Sequence, residues 1–190
     1  CPQPVKIAGR CGVSVWTGWV ERPEAFVEHS EFAEFYAARK DTVFRAVLVA
    51  TGQRSAAEDA VAEAFTRAYE RWRTVHDHPS PTAWVIRTAL NAHRSSWRRW
   101  RRERPVDVPD RAAVEPGATV LPAELLRLVL ALPARQRQVV ALRILADLSA
   151  EEAATVLGIT PSTVGVHLHR AMSCLRGQLI APSNSTGRLA

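Results

Sequence analysis

The sequence predicts an all-α protein of two small helical domains joined by a flexible linker, with a helix-turn-helix in the second domain. Apolar residues recur at steps of three and four, and no alternating strand pattern of useful length occurs. Apolar residues make up 47% of the 190-residue chain, which is enough to form cores. The segment PVDVPDRAAVEPGATVL at 105–121 has no period and is rich in Pro and Asp, so it indicates the linker.

These features divide the chain into five parts. We expect a disordered N-terminal tail at 1–25, a first domain at 26–104, an acidic linker at 105–121, a second domain at 122–180 and a C-terminal tail at 181–190. The linker holds three acidic residues and one basic residue, whereas the whole chain has a net charge of +6.

The first domain is predicted to contain three helices. The first helix carries Phe, Tyr, Val and Leu at helical spacing and ends before Gly52. Ser55 and Glu58 have the spacing of a capping box, which predicts the start of a second helix with a regular apolar stripe. The third helix is predicted to begin at Pro81, with Ser80 as its N-cap, and to run into a dense Arg cluster.

The second domain is predicted to contain four helices. The first lies near Leu125–Leu132, and Pro133 begins the next one, which ends near Ala146. Ser149 and Glu152 have the spacing of a second capping box, so a short helix is expected after them.

The end of the second domain has the spacing of a helix-turn-helix. Ala154 is the small residue at the helix crossing, Gly158 stands in the turn, and Val164 is the branched residue that packs against the first helix. The turn needs a positive φ, which Gly adopts at low cost. Thr160 is expected to cap the last helix and Pro161 to open it. An unrelated helical hairpin is the alternative interpretation of this spacing.

The basic residues favour a nucleic-acid partner. Of the 25 basic residues, 23 are Arg, and the run HRSSWRRWRRER at 93–104 contains six Arg and two Trp. A guanidinium presents a planar set of donors to phosphates, and an aromatic ring can stack on an unpaired base, so this run predicts contact with single-stranded DNA. Two alternatives are Trp side chains that pack inward and a GC-rich genome that favours Arg codons.

No enzymatic or metal-binding pattern occurs in the sequence. It has no phosphate-binding Gly loop, GxSxG or HExxH motif, and its six His do not cluster with Cys or carboxylates at ligand spacing. We therefore predict no enzyme activity, no cofactor and no metal site. Cys174 is expected to lie in the core, and the three cysteines form no CxxC pair, which fits a reducing cytosol.

The sequence also predicts a cytoplasmic protein that does not enter a membrane. No apolar run reaches the roughly 18 residues that a membrane span needs. Residues 11–20 are mildly apolar but lack a small-residue cleavage site, so no export signal is predicted.

Three segments, in this order, resemble the bacterial extracytoplasmic-function (ECF) sigma factors, the RNA polymerase subunits that have only two of the sigma domains. AEDAVAEAFTRAYERW at 57–72 is similar to the helix that binds core polymerase. AWVIRTALNAHRSSWRR at 83–99 is similar to the helix that opens and reads the −10 promoter element. LPARQRQVVALRILADLSAEEAATVLGITPSTVGVHLHRAMSCLR at 132–176 is similar to the domain that reads the −35 element. The resemblance spans about 26–179 and implies a protein that directs core polymerase to promoters, melts the −10 element and starts transcription.

The resemblance also implies which residues make each contact. The residues expected to dock on the β′ clamp helices of core polymerase are Asp59, Glu63, Phe65 and Arg67. Those expected to hold the −10 strand, together with the loop at 74–79, are His76, Asn91, Arg94, Trp97, Arg98, Arg99, Arg101 and Arg102. Those expected at the −35 major groove are Pro161, Ser162, Thr163, Gly165, Val166, His167 and Arg170.

Further partners follow from the same resemblance. The linker, with Asp107, Asp110 and Glu115, would lie in the path of the RNA, where its acidity mimics transcript phosphate. The β flap of polymerase and an anti-sigma factor are additional expected partners.

The sequence departs from the family pattern in the last helix. The family usually has basic or polar residues after Thr163–Val164, whereas this chain has Gly165, Val166 and His167. Gly inside a helix costs about 1 kcal/mol relative to Ala, and losing a bidentate base contact costs about 1–3 kcal/mol of discrimination. Weak −35 recognition, or recognition through phosphates and shape, is therefore expected.

The alternative function is a stand-alone helix-turn-helix regulator that binds duplex DNA without polymerase. The first domain argues against it, because such a regulator does not need a core-docking helix followed by an Arg- and Trp-rich helix that opens the strands.

Overall fold

A computed structural model describes residues 23–103 and 121–180, and the regular structure in these ranges is helical. In chain order the elements are α1 (Pro23–Thr51), α2 (Arg54–Glu70), α3 (Trp72–His76), α4 (Pro81–Glu103), α5 (Ala123–Leu130), α6 (Ala134–Val140), a π turn (Ala141–Leu145), α7 (Ala150–Leu157) and α8 (Pro161–Ile180). The predicted all-α class is confirmed. The first helix begins at Pro23, inside the segment assigned to the N-terminal tail. The rest of that tail, nearly all of the predicted linker and the C-terminal tail lie outside the described residues.

Helix α1 ends where the backbone can turn. Gly52 has a φ of 76°, in the left-handed region that Gly adopts at low cost. Its N–H donates to the Leu48 carbonyl at 2.7 Å, and the Thr51 hydroxyl donates to the Val47 carbonyl at 2.8 Å. These two bonds satisfy carbonyls that the end of a helix otherwise leaves without partners.

The last turns of α1 are enclosed on all sides. The five successive residues Ala46–Ala50 are each at most 3% exposed. Because successive side chains of a helix point about 100° apart, five of them cover the whole circumference. Helices α2 and α4 contact α1, and so do α6 and the π turn. This helix therefore belongs to the cores of both domains.

Small side chains allow α2 and α4 to pack closely. The buried residues of α2 are Ala57, Ala60, Val61, Ala64, Phe65 and Ala68. The buried residues of α4 are Ala83, Val85, Ile86, Ala89, Leu90 and Ala92. The distance between two packed helices depends on the side chains at their contact. Because Ala projects little from the helix surface, these two faces can approach closely. The predicted apolar stripe of the second helix is confirmed as its inward face.

An aromatic cluster joins α1 to α2 and α3. The Phe32 ring lies 5.3 Å from the Trp72 ring, nearly perpendicular to it, and the Phe35 ring lies 5.2 Å from the same Trp. The Tyr36 and Phe65 rings are 4.9 Å apart at an interplanar angle of 81°. Edge-to-face pairs of this kind contribute about 0.5–1.5 kcal/mol each beyond the area that they bury.

The predicted capping box at Ser55 and Glu58 is wrong. Helix α2 begins one residue before Ser55, at Arg54, and its N-cap Gln53 makes no side-chain capping bond. The Glu58 carboxylate instead lies 2.9 Å from the Arg54 guanidinium. Because Gly52 has already turned the chain, the helix starts directly after Gln53 and Ser55 falls inside its first turn.

Two other predicted helix starts are confirmed. Helix α4 begins at Pro81, directly after Ser80. Helix α7 has the complete capping box: the Glu152 N–H donates to Ser149 Oγ at 3.1 Å, and the Ser149 N–H donates to Glu152 Oε2 at 2.6 Å.

Helices α7 and α8 form the predicted helix-turn-helix. Gly158 has a φ of 68° at the turn, as its position required. Thr160 Oγ1 accepts a hydrogen bond from the Thr163 N–H at 3.2 Å and so caps α8. Val164 is 1% exposed and lies in the core.

The helix that begins at Ala134 widens into a π turn before it ends. Ala146 donates its N–H to the first carbonyl of the turn at 3.0 Å, and Leu148 donates to the Leu142 carbonyl at 3.0 Å. The Arg143 guanidinium also donates to the Leu148 carbonyl. The sequence predicted the extent of this helix but not its wide last turn.

The two domains contact each other directly. Helix α1 packs against α5, α6 and the π turn, and α4 packs against α7. None of the helices within residues 23–103 and 121–180 has the length and apolar character to cross a membrane.

We predict that Glu152→Gln lowers the free energy of unfolding by about 1 kcal/mol at pH 7, because it weakens the capping box of α7. The pKa of Glu152 is lowered from 4.5, first by a hydrogen bond from the Ser80 hydroxyl and next by the Ser149 N–H. A carboxylate with a lowered pKa stabilises the fold above its ordinary pKa and loses that contribution as the pH falls through its folded value. The variant and the parent chain should therefore converge below pH 4.5.

Urea denaturation at several pH values measures this difference. Glu124→Gln is the control, because its exposed pair with Arg127 should contribute no more than about 0.5 kcal/mol. A difference for Glu152→Gln that does not change with pH would contradict the role of the carboxylate charge.

Candidate functional site

The outward face of α2 carries charged side chains. Asp59, Glu63 and Arg67 are exposed, and Arg67 donates to Glu63 Oε1 at 2.5 Å across one helical turn. Phe65, by contrast, is 5% exposed and packs against Tyr36. The structure therefore brings three of the four predicted core-binding residues to one surface, whereas Phe65 supports that surface from the core.

A groove runs between α1 and α2 beside the charged face. Its volume is about 740 Å³. Its aromatic lining consists of Phe32, Tyr36, Phe44, Phe65 and Tyr69, and its charged lining consists of Lys40, Asp41 and Glu58. This groove was not predicted from the sequence. Its signal was the presence of aromatic residues on two consecutive predicted helices, which we assigned to the core.

The loop between α3 and α4 presents polar groups. His76 is exposed, and its Nδ1 lies 3.1 Å from Asp77 Oδ1. The Ser80 N–H donates to His78 Nδ1 at 3.0 Å, which fixes the end of the loop against the first turn of α4. The loop that is predicted to contact the −10 element therefore presents polar groups directly before α4.

Helix α4 holds a chain of hydrogen-bonded polar side chains. Arg94 Nη1 donates to Asn91 Oδ1 at 3.0 Å, and Arg98 Nε donates to the Arg94 carbonyl at 3.3 Å. Asn91, Arg98 and Arg99 are exposed, and Trp97 is half-buried. The predicted −10 residues from Asn91 to Arg99 therefore lie on one segment of α4. Arg101 and Arg102 belong to the same helix, but their side chains lie outside the described part of the chain.

The Arg94 guanidinium occupies an electrostatically unfavourable position. Its Nη2 is buried without a hydrogen-bond partner. Burial lowers the pKa of Arg94, and the positive charges of Arg135 and Arg98 lower it further. Because an unpaired cation is destabilised by lost solvent and by like charges, an anion beside Arg94 would relieve both effects.

The first turns of α8 present the predicted −35 residues. Pro161, Ser162, Gly165, Val166 and Arg170 are exposed, whereas Thr163 and His167 are half-buried. The first turn is tied together by hydroxyls, since Thr160 Oγ1 lies 2.9 Å from Ser162 Oγ and 2.8 Å from Thr163 Oγ1.

His167 is less available than the sequence suggested. Its Nδ1 is buried and has no hydrogen-bond partner. The face of α8 that reaches solvent near its start therefore includes Gly165 and Val166, which offer no polar side-chain group.

The predicted core position of Cys174 is wrong. Its thiol is free and the residue is exposed. Ala171 and Leu175 occupy the inward positions of α8, at 0% and 6% exposure. With about 100° between successive residues, Cys174 falls outside the inward stripe.

Comparison with known proteins identifies both domains. Residues 35–103 match the family described as sigma-70 region 2, and residues 123–175 match the family described as sigma-70 region 4. The first match falls on α1 to α4, and the second on α5 to α8.

Whole-chain relatives are sigma factors as well. The chain is 33% identical over 157 residues to the RNA polymerase sigma-E factor of Streptomyces coelicolor, which covers 80% of this chain and 87% of that protein. It is 38% identical over 73 residues to the ECF RNA polymerase sigma factor SigD of Mycobacterium tuberculosis, which covers 38% of this chain and 33% of that protein.

A solved structure has a similar fold. The sigma factor RpoE, in complex with the anti-sigma factor NepR from Bartonella quintana, matches with a TM-score of 0.69 at 19% identity, over 80% of this chain and 99% of that one. The fold and the two family matches define a DNA-binding protein of two helical domains, the second of which contains a helix-turn-helix. The chain belongs to the extracytoplasmic-function (ECF) sigma factors.

Membership of this family sets the general function. The chain is an RNA polymerase sigma factor, whose regions 2 and 4 bind core polymerase and promoter DNA. A stand-alone regulator is not favoured, because the matches include the first domain as well as the helix-turn-helix.

We predict that Gly165→Arg tightens the binding of holoenzyme to a −35 duplex. A Cβ at Gly165 meets no atom within 4 Å, so the side chain has room. A new bidentate base contact contributes about 1–3 kcal/mol, of which 1 kcal/mol corresponds to about a fivefold gain in affinity. A new phosphate contact would instead steepen the salt dependence by about 0.9 log units per log unit of salt.

Gly177→Arg is a matched control for this prediction. It lies in the same helix, adds the same charge and also meets no atom within 4 Å, but it stands near the other end of α8. Equal gains for both variants, or no gain for Gly165→Arg, would show that the start of α8 does not face the groove.

Proposed function

We propose that this sigma factor uses three separate surfaces to contact core polymerase, the −10 strand and the −35 duplex. The outward face of α2 docks on core polymerase, the loop before α4 and the Arg-rich part of α4 take the −10 strand, and the first turns of α8 contact the −35 duplex. The observation that carries the proposal is the run of polar groups from Asn91 to Arg99 on one helix, directly after an exposed loop. Neither a purely duplex-binding regulator nor a structural protein needs that combination.

The charged face of α2 suits a partner that carries both signs of charge. Asp59 is exposed, and Glu63 and Arg67 neutralise each other at 2.5 Å. An exposed pair of this kind contributes about 0–1 kcal/mol, so it can exchange its internal contact for contacts with a partner at low cost. Phe65 keeps its place in the proposal as a packing residue beneath this face.

The −10 surface suits single-stranded DNA. Arg98 and Arg99 can follow phosphates, and the Asn91 amide can hydrogen-bond the edge of an unpaired base. Trp97 is half-buried, so part of its ring is available for stacking, which contributes about 1–3 kcal/mol per base. Arg94 links these groups by hydrogen bonds. Its guanidinium donates to Asn91 Oδ1, and its backbone carbonyl accepts a hydrogen bond from Arg98 Nε.

The −35 surface suits phosphate contact better than base readout. The start of a helix presents unpaired N–H groups and a partial positive charge, which attract phosphate. Ser162 adds a hydroxyl and Arg170 adds a cation on the exposed side. Gly165 adds no base contact, so backbone and shape are proposed to dominate at this element.

The remaining partners belong to the same proposal. The chain has no catalytic role of its own, and it acts in the cytoplasm, where bacterial polymerase and its promoters are found. The acidic linker lies in the RNA path, and the β flap contacts the second domain. An anti-sigma factor is a further partner, which the complex of RpoE with NepR supports by analogy.

We predict that Asp59→Arg weakens binding to core polymerase by about tenfold, or about 1.4 kcal/mol, because it places a like charge opposite the docking partner. Co-purification with core, followed by run-off transcription on a genomic promoter pool, measures the loss. Glu34→Arg makes the same charge change at an exposed position on α1 and should leave binding intact. Unchanged binding for Asp59→Arg would remove α2 from the docking surface.

We predict that Asn91→Ala slows promoter opening by about tenfold, equivalent to about 1.4 kcal/mol, without changing core binding. The variant removes the amide that meets the −10 base and frees Arg94 from its bond. Permanganate reactivity of −10 thymines in complexes with core polymerase measures the opening. Ser95→Ala, an exposed change on the next turn of α4, is the control. Normal reactivity for Asn91→Ala would rule out its proposed role.

A further inference from the structure

Asn91 and Arg94 form a local pair on the exposed side of α4. Residues three apart on a helix lie about 60° apart around its axis and about 4.5 Å apart along it, so their side chains can meet. Leu90 and Ala92, on either side of Asn91, are 3% and 6% exposed, whereas Asn91 itself is exposed. Burial of the two neighbours fixes the backbone at this point and leaves the Asn91 amide on the solvent side.

The hydrogen bond between the two side chains determines which way the amide points. Arg94 Nη1 lies 3.0 Å from Asn91 Oδ1. A guanidinium has donors only, so the amide atom that faces it must be the oxygen. The charge of the guanidinium makes this bond stronger than one between two neutral groups. The amide therefore keeps its oxygen toward Arg94 and leaves its NH2 group, which only donates, available to a ligand.

The pair is organised before any DNA binds. Both residues belong to the continuous helix α4, so their bond does not depend on the position of the second domain. Arg94 is half-buried, which restricts the conformations of its long side chain. A ligand that meets the amide in this orientation does not have to supply the free energy of ordering it.

A second donor is disfavoured at the Asn91 oxygen. An Asn side chain usually reads adenine with both halves of its amide, because the oxygen accepts from the N6 amino group while the nitrogen donates to N7. Asn91 Oδ1 has two lone pairs, of which the bond from Arg94 uses one. A base amino group at the other would bring its hydrogens beside the positive guanidinium, which repels them. A base oxygen is instead attracted both by the NH2 group of Asn91 and by the guanidinium of Arg94.

We propose that Arg94 is a positioning residue that makes Asn91 select a keto base, guanine or thymine, over an amino base, adenine or cytosine, at one position of the −10 strand. The exocyclic O6 of guanine and O4 of thymine accept hydrogen bonds, whereas adenine and cytosine carry amino donors at N6 and N4. The proposal rests on the −10 role proposed for α4, and it names the class of base that this helix reads. In this role Arg94 acts through the Asn91 amide rather than by its own contact with the strand.

Single-round run-off transcription with the full chain and core polymerase tests this selection. A promoter recovered from the genomic pool is prepared with each of the four bases, paired to its complement, at every position of the −10 non-template strand. At one position the keto bases should give about tenfold more transcript than the amino bases. Each class contains one base of an A·T pair and one of a G·C pair, so duplex stability does not produce this division. Equal transcript from both classes at every position would overturn the proposal.

Substitutions within the pair should change the preference in a defined direction. Arg94→Leu removes the donor from the Asn91 oxygen and should reduce the preference to less than about twofold, chiefly through better use of adenine, which the freed amide can bond with both halves. Arg94→Lys keeps a charged donor and should keep the preference. Asn91→Asp should reverse it, because a carboxylate has acceptors only and suits an amino base. A full keto preference in Arg94→Leu would contradict the positioning role.

Arg98→Ala is the matched control for Arg94→Leu. Arg98 lies on the same helix and donates through Nε to the backbone carbonyl of Arg94 at 3.3 Å, so its removal leaves the Asn91 amide its partner. The variant loses the same charge and should lower the transcript from all four bases by the same factor. An equal loss of base preference in the two variants would assign the effect to charge alone and refute the positioning role.

The outcomes also separate this proposal from the proposed function. Asn91→Ala that opens promoters normally rules out the −10 role itself. Asn91→Ala that slows opening, together with a parent chain that does not distinguish keto from amino bases, overturns only the role of Arg94. Urea denaturation checks that Arg94→Leu folds. If it does not fold, Asn91→Asp decides the question, and a retained keto preference in that variant overturns the proposal.

Discussion

The burial of α1 at its last turns is the constraint on which the rest of this structure depends. One helix face is enough to fill the core of a small domain, yet Ala46–Ala50 are buried all the way round. The helix therefore packs against both domains, and this packing sets the position of the second domain relative to the first. That position decides which parts of α4 and α7 meet.

Electrostatics acts against this packing at one place. Apolar contact holds the domains together, while Arg94 and Arg135 bring like charges to their boundary. The apolar contribution is larger, because many buried side chains take part and the two cations keep some access to solvent. The balance is nevertheless adjustable: an anion that reaches Arg94 removes the repulsion and offers its guanidinium a charged acceptor. A polyanion such as DNA is a suitable source of that charge.

Local chemistry in the sequence predicted most of the elements, while contacts between distant segments were not predictable. The capping box at Ser149, the turn at Gly158 and the start at Pro81 depend on their nearest neighbours, and all three are confirmed. The predicted capping box at Ser55 is wrong because the chain turns at Gly52 and α2 begins at Arg54, one residue before Ser55. The groove between α1 and α2 and the packing of α7 on α4 join residues far apart in sequence, and no local pattern records which faces meet. The Arg- and Trp-rich helix and the helix-turn-helix were predicted from residue types and spacing, whereas the docking face of α2 and the individual contact residues came from the resemblance. All of these residue-level roles stay predictions.

The π turn at Ala141–Leu145 has a consequence for how this domain can change over evolutionary time. Each hydrogen-bonded loop of a π turn contains one more residue than a loop of an α turn. The helix that begins at Ala134 therefore contains one residue more than a regular helix of the same length needs. Because the wide turn takes up the extra residue within one loop, deletion of one residue there would restore a regular helix and leave the residues before and after it facing the same way. The helix-turn-helix would then keep its position with its own sequence unaltered. The same deletion inside α7 or α8, which are regular helices, would instead rotate every later residue of that helix by about 100°, so the π turn is a place where this domain tolerates a change of length.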